Sequence, residues 1–524
     1  MKKITFIITL IFISGILSAQ NWQEIITLAS SDGVENDDFG YCVSISGDYA
    51  IIGAHNEDED VNGENLLLNA GSAYIFHYNG TSWEETQKIV ASDREQEDNF
   101  GKAVSISGDY AVIGAFREDE DINGENTLTS AGSAYIYYNN AGTWEETQKI
   151  TASDRESANY FGRNVSMCEN YIIIGAYENT TDASGGNSIS KAGASYIFYN
   201  NAGTWEEMQK IVASDRAFED RFGASVAISN NYAVVGAYYE DEDEIGNNTL
   251  NNAGSAYIFY NNEGTWQEVQ KIVASDRANQ DYFSIDVAVY GDYIIIGAWY
   301  EDEDDSGENT MENSGSAYVF FNNEGVWEET QKLTASDRNI QDVFGLSVSV
   351  SGDYAIINSY NDDEDENGEN FLDCAGSAYI YYNNAGTWEE IQKIVASDRA
   401  EGDLFSRTVA IDGNRIISGA YGKNTFTGKI YFYEQESTLI KGISQNNFLI
   451  YPNPTNGILN LKASENFRNI GKDSLSVEIT NINGQIIYTI NNKSKIDISN
   501  QPKGIYFIKI KTENRIYIKK LILK

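Results

Sequence analysis

Phe100-Gly101-Lys102-Ala103-Val104-Ser105-Ile106-Ser107-Gly108-Asp109-Tyr110-Ala111-Val112-Ile113-Gly114-Ala115 is the stretch on which the fold turns, because its pattern recurs along most of the chain. Phe39, Phe100, Phe161, Phe222, Phe283, Phe344 and Phe405 stand 61 residues apart. Trp22, Trp83, Trp144, Trp205, Trp266, Trp327 and Trp388 keep the same spacing, each 17 residues before one of those phenylalanines. A fixed period of this length marks an array of identical supersecondary units.

Reading outward through the first unit, four short β-rich runs emerge: Val43 to Ser46, Tyr49 to Ala54, Ser72 to Tyr78 and Trp83 to Ala91, with Gly, Asn and Asp at the joins. The second run is continuously apolar, as for a strand buried on both faces, whereas the fourth carries charges that suit an outer edge. Four strands in each of seven repeats predict an all-β fold, a seven-bladed β-propeller. The last repeat has only three strand-like runs, ending at Ile430 to Tyr433. Trp22 to Leu28 is expected to supply its fourth strand and close the ring, which removes the open edges.

Phe100-Gly101, Val104-Ser105-Ile106-Ser107 and Ile113-Gly114-Ala115 together resemble the FG-GAP repeat of the integrin α-subunit propeller and of many bacterial surface proteins. The resemblance covers residues 21 to 436, within a propeller domain placed at 20–436. It departs from the family at three points. The final Pro is absent from every copy. Ser284 and Ser406 replace Gly in the fifth and seventh copies, and Asn358-Ser359 replaces Gly-Ala in the sixth. The integrin calcium hairpin is reduced here to turns such as Ser107-Gly108-Asp109-Tyr110, so its sites do not carry over. Phe100 is expected to pack between blades, with Gly101 supplying a backbone approach that a side chain would block.

Because strands alternate direction, the loop between the second and third strands and the loop leaving the fourth should emerge on one face. In the first repeat these contain His55 to Asn65 and Asp93 to Asp98, so negative charge should crowd that rim. The resemblance to integrins implies ligand binding on the same face. Within the loops, Asp58, Asp60 and Asn62 precede Gly63 with the alternation that begins a calcium loop. Asp119, Asp121 and Asn123, then Asp302, Asp304 and Ser306, then Asp363, Asp365 and Asn367 repeat it. The closing carboxylate of a full calcium loop is missing, so two readings stay open: calcium ligands, or solvated acidic tips.

The 524 residues carry a net charge of −43 although residues 441–524 hold 13 Lys/Arg against 5 Asp/Glu, so the repeats are more acidic still. Such a surface excludes nucleic acid and favours cations or cationic partners. Lys2 and Lys3, an apolar run from Ile4 to Leu17 and small residues to Ala19 read as a signal peptide over 1–19, with no later apolar run long enough to span a membrane. Cys42, Cys168 and Cys374 form no disulfide framework and are expected as small apolar fillers. His55 and His77 are the only histidines and occur in one repeat, which argues against His-based catalysis, and both are expected at the surface. Trp299, Tyr177, Tyr238, Tyr239 and Tyr300 follow Gly-Ala and could stack on a sugar.

All three prolines lie after residue 451. After a linker over 437–447, residues 448–524 turn to Lys, Ile and Asn with short alternating strands, which suit a small Ig-like β-sandwich. Tyr451-Pro452-Asn453-Pro454, Asn456-Gly457, Asn483-Gly484-Gln485, Gly504-Ile505-Tyr506 and Lys519-Lys520 resemble the C-terminal sorting domain of type IX secretion cargo. That resemblance implies the type IX secretion machinery as a partner and a secreted or outer-surface destination. The expectation is a non-enzymatic adhesion or recognition propeller for an extracellular protein or glycan. The alternatives are a secreted polysaccharide-active enzyme and a passive surface protein.

Overall fold

A computed structural model describes residues 21–307 and 309–435 and, in the C-terminal part, 448–451, 455, 457–463, 476–481, 486–491, 495–511 and 516–524. The expected signal peptide, the 437–447 linker and residues 452–454 of the first sorting motif lie outside the described residues. Contacts divide the chain into Asn21–Gln435 and a unit containing Glu436–Lys524.

Asn21–Gln435 is built of seven four-stranded antiparallel sheets, consistent with a seven-bladed propeller. The first sheet is Cys42–Ser46, Tyr49–Ala54, Ser72–Tyr78 and Trp83–Ile89, and the second is Phe100–Ser107, Tyr110–Ala115, Ser133–Asn140 and Thr143–Ile150. Register is set by the apolar second strand, with Ile113 opposite both Val104 and Tyr135. The seventh sheet takes Trp22–Leu28, paired antiparallel with Lys429–Gln435.

The core lies between neighbouring sheets. Phe100 is fully buried among Ile51, Ala73 and Ile75 of one blade and Val104, Ile113, Tyr135 and Trp144 of the next. Burying one such phenylalanine contributes on the order of 2–3 kcal/mol. The following glycine has φ +87°, and a Cβ there would stand 2.2 Å from the Ser72 carbonyl oxygen. Blades therefore meet backbone to backbone: Gly53 is required by space, and Gly101 by space and conformation together.

The substitutions Ser284, Ser406 and Asn358-Ser359 are accommodated at these same junctions. Ser284 and Ser406 keep positive φ, at 73° and 67°. The Ser284 hydroxyl donates to the Ser255 carbonyl and accepts from the Ala237 N–H. Asn358 donates to the Ser406 carbonyl and accepts from the Ser347 N–H. Asn358 and Ser359 are buried joints, which explains this asymmetry without a ligand.

Two ladders tie blade to blade. Near the axis, serine hydroxyls accept the N–H of the next inner strand, as Ser44 from Ile106 and Ser105 from Met167, and Asp412 accepts from Gly47. At the periphery, Gln87 exchanges two hydrogen bonds with the Trp144 backbone, and the pattern recurs through Gln392 and Trp22. Ile26 occupies the matching position against Trp83. There Trp83 stacks on Phe432 at 4.3 Å, with Arg415 over its ring at 5.5 Å.

In the C-terminal unit, Phe448–Tyr451, Ile458–Ala463 and Lys495–Asp497 form one antiparallel sheet. Ser476–Asn481, Ile486–Asn491, Gly504–Lys511 and Ile516–Leu523 form a second. Leu459 and Ile496 of the first share a core with Val477, Ile479, Ile508 and Leu521 of the second.

Candidate functional site

The motif Ala91-Ser92-Asp93-Arg94, which recurs in the loop leaving every outer strand but Trp22–Leu28, organises the loop-bearing face. Ser92 donates through its N–H and hydroxyl to Glu146 of the next blade, at 3.0 and 2.7 Å. Asp93 receives Lys149 at 2.7 Å and the Tyr135 hydroxyl at 2.7 Å. Arg94 reaches the carbonyls of Asp58 and Asn65, at 2.9 and 3.1 Å, and so ties the two loops of a blade together. Both expected loops thus do share a face. Part of the acidic charge counted on that rim is paired inside the blades, a pairing that the recurring Ser-Asp-Arg and Gln-Lys-Ile motifs could have signalled.

In five of the blades a second, buried carboxyl pair lies beneath the acidic loop. Asp98 accepts the Glu95 N–H and hydrogen bonds with Glu118, whose carboxylate is 3.3 Å from Lys149. Burial, reinforced by the Glu118 charge, pushes Asp98 up to about 8. Asp220 and Asp281 are raised to about 8 in the same way, with Glu240 and Glu301 as neighbours. In the third blade both positions are amides, Asn159 and Asn179, and in the seventh Asp403 meets Lys423 at 2.6 Å. The pair changes together and is a packing device.

The expected calcium residues point largely into their own loops. Asp58, Asp119, Asp302 and Asp363 accept the N–H of Asn69, Ser130, Asn313 and Cys374, at 2.6–2.7 Å. Asp60 accepts Asn62 and Glu64 N–H at 2.8 and 3.0 Å. The same turn joins Asp121 to Asn123, Asp304 to Ser306 and Asp365 to Asn367. The Asn65 side chain and these N–H groups hold the Asp60 carboxyl below its ordinary range. Of these residues only Asp363 joins a close group of three metal-ligating side chains, with Asp373 and Cys374, among the described residues. A calcium ion takes six to eight oxygens, so Asn, Ser and backbone oxygens of each loop would have to join these carboxylates to hold one.

A cavity of about 470 Å³ opens where the inner strands begin, lined by Tyr41, Lys102, Arg163, Arg407, Arg221, Tyr177 and Tyr238 among others. Four cations face it against one lining carboxylate, Asp286, which accepts the N–H of Val287 and Val348 at 3.0 and 2.9 Å. Lys102 lies 3.6 Å above the Tyr41 ring, and Arg407 stands over the same ring at 4.9 Å. Burial alone would raise the Tyr41 phenol, but Arg407, Lys102 and Arg163 outweigh it and bring it down to about 7. Burial and the nearby guanidinium groups lower Lys102 to about 8, although the Tyr41 phenol opposes them. His55, expected at the surface, is instead buried here, 3.2 Å from Lys102, and burial holds it well below its ordinary range. Cations at the axis were not expected from so acidic a chain.

Trp299 stacks on Tyr300 at 4.3 Å and neighbours Tyr282, while Tyr238 and Tyr239 lie side by side at 4.6 Å. Four of the sugar-stacking candidates thus share one aromatic group around Tyr282, whereas Tyr177 stacks on Tyr160 in another, and Tyr177 and Tyr238 both line the cavity.

Comparison with known families matches the FG-GAP repeat at residues 22–76, 83–137, 144–198, 205–259, 266–320, 327–381 and 388–433. This chain belongs to the FG-GAP repeat family. A secretion system C-terminal sorting domain matches residues 449–524, which makes this FG-GAP protein a secreted or outer-cell-surface protein that engages the type IX secretion machinery. No helix among the described residues of the FG-GAP protein is long and apolar enough to cross a membrane. A search of the curated proteins finds no match. A solved chain from "Crystal Structure of Mitotic Checkpoint Complex" aligns at 9% identity over 83% of this chain and 98% of that one, with a TM-score of 0.44, too distant to bear on function.

Proposed function

We propose that this FG-GAP protein is a non-catalytic recognition propeller of the cell exterior, closed by its N-terminal strand and carried out by an Ig-like sorting tail. Its loop-bearing face would bind an extracellular protein or glycan. The observation that carries this reading is the meeting, on one rigid face, of arginine-tied loops and an axial cavity lined by aromatic and charged side chains. Binding sites on propellers and other scaffolds are typically built from loops on a rigid frame. The reading holds whether or not calcium sits in the acidic loops.

The test is attachment to glycan-coated and protein-coated surfaces by cells with and without the gene. Loss of attachment on deletion, restored by the intact chain, supports recognition. Unchanged attachment with altered surface material favours a passive coat. A polysaccharide-active enzyme would instead release shortened sugars from glycans incubated with the purified protein.

A further inference from the structure

The cations at the axis stand in a chain whose net charge is −43, and most of the other basic groups described in Asn21–Gln435 are matched by a carboxylate or a carbonyl. Lys88, Lys149 and Lys271 each meet two carboxylates, and Arg94 and Arg155 are taken up by loop carbonyls. Arg163 differs. Among the described residues its guanidinium has no carboxylate partner, and its side-chain contact is the Phe116 ring at 5.6 Å. Arg407 likewise ends on the Tyr41 hydroxyl at 3.2 Å, and Lys102 on His55. Guanidinium groups inside a cavity with no carboxylate in hydrogen-bonded contact are costly to desolvate and are suited to forked hydrogen bonding of a carboxylate or sulfate.

The walls add a second requirement. Tyr177 and Tyr238 line the cavity with aromatic rings that end in hydroxyls, and Ile285 and Leu346 add apolar surface. That combination suits a ring-shaped ligand whose faces are apolar and whose edge is polar and anionic. A volume of about 470 Å³ admits one to two sugar rings.

We propose that the axial cavity binds a saccharide residue bearing a carboxylate or sulfate group, with its anion between Arg163, Arg407 and Lys102 and its ring against Tyr177 and Tyr238. The proposal rests on the reading of the loop-bearing face as the recognition surface, and names the ligand chemistry at its centre. The acidic rim does not cancel this well, because at about 0.15 M ionic strength charges are screened beyond roughly 8 Å. It instead discourages loosely bound polyanions, so that the ligand must enter the cavity to be held.

The experiment is titration calorimetry on the intact secreted chain with a glucuronate trisaccharide, a sulfated galactose trisaccharide, their neutral counterpart and sodium sulfate. At least one anionic trisaccharide should bind about tenfold or more tightly than the neutral sugar and than sulfate. Arg163→Gln should weaken that binding about tenfold or more, and Arg163→Lys by less, since charge is kept and the fork lost. Circular dichroism and the melting temperature should match the parent chain. Equal binding of the neutral sugar overturns the anion part, and equal binding of sulfate overturns the saccharide part. Anionic sugar binding untouched by both Arg163 and Arg407→Gln overturns the location while leaving the recognition face standing. No binding of any probe overturns the proposal, and the attachment assay then decides the broader reading separately.

Discussion

Gln392 and Trp22, 370 residues apart in sequence, exchange two hydrogen bonds: the Trp22 N–H donates to Oε1 at 2.8 Å and Nε2 donates to the Trp22 carbonyl at 2.8 Å. Ser397 does the same with Glu24 through its N–H and hydroxyl, at 3.0 and 2.6 Å. The first strand of the chain thus occupies the place that an outer strand holds in every other blade. Gln392→Ala leaves the Trp22 N–H without its partner and should cost about 1–3 kcal/mol. Removing residues 21–28 should do far more, exposing a sheet edge and causing oligomers. Denaturant melts and size-exclusion chromatography read both outcomes; a monomeric, equally stable deletion would show the strand to be dispensable.

The buried carboxyl pairs make stability depend on pH. Asp37 is raised from 3.8 to about 7, and Asp98, Asp220, Asp281 and Asp342 to about 8, chiefly by burial and then by a neighbouring carboxylate. A raised folded-state value means the contribution is fully present below about pH 4 and is lost as pH rises through 7 to 8. The melting temperature, taken across this window, should therefore fall between pH 5 and 9. Asp98→Asn should flatten part of the fall, because the third blade already carries Asn159 and Asn179 at these positions.

Anion binding at the axis should weaken above neutrality. Tyr41, at about 7, gains negative charge there and competes for Arg407, Arg163 and Lys102, while Lys102, at about 8, loses its positive charge. Asp286, raised to about 6 by burial, is already ionised. Tyr41 and Lys102 both move the cavity in one direction, so affinity for the anionic trisaccharide should drop between pH 6 and 9. Tyr41→Phe should remove part of that slope. A flat profile would mean that the cations of this cavity do not hold the ligand.

Two glycines separate conformational cost from spatial cost. Gly47 has φ +58° with open space around its missing Cβ, so Gly47→Ala should cost about 1 kcal/mol. At Gly101 the Cβ would also meet the Ser72 carbonyl oxygen at 2.2 Å, forcing two blades apart. Gly101→Ala should cost several kcal/mol, in the range of other overpacked or strained sites. Equal penalties in chemical denaturation would show that the close approach of the blades contributes little.

Calcium can be tested on the same chain by melting with and without chelator, alongside Asp58→Ala with Asp60→Ala. The expected result is no shift on chelation, since Asp60 already accepts loop N–H groups from Asn62 and Glu64. Replacing Asp60 should loosen its loop with or without calcium. A rise of several degrees on adding calcium, absent from the variant, would establish a metal-stabilised rim.

The 61-residue period determined the number of blades, the strand order within each and the role of Phe100 and Gly101, because each repeated residue meets the same surroundings in every blade. It also determined the acidic loops, since their composition recurs. Periodicity could not show the axial cavity, whose character is set at a position of the repeat where the residue varies. Tyr41, Lys102, Arg163, Ala224, Ile285, Leu346 and Arg407 occupy that position, with a phenol, three cations and three aliphatic side chains among them. They matter together because inner strands that are far apart in sequence line one cavity. The pairing of rim carboxylates was equally a matter of tertiary structure: Asp93 counts as charge in a sequence, but Lys149, 56 residues later, neutralises it in the fold. Local pattern specifies a blade, while the electrostatics of the face depend on distances that only the packed blades create.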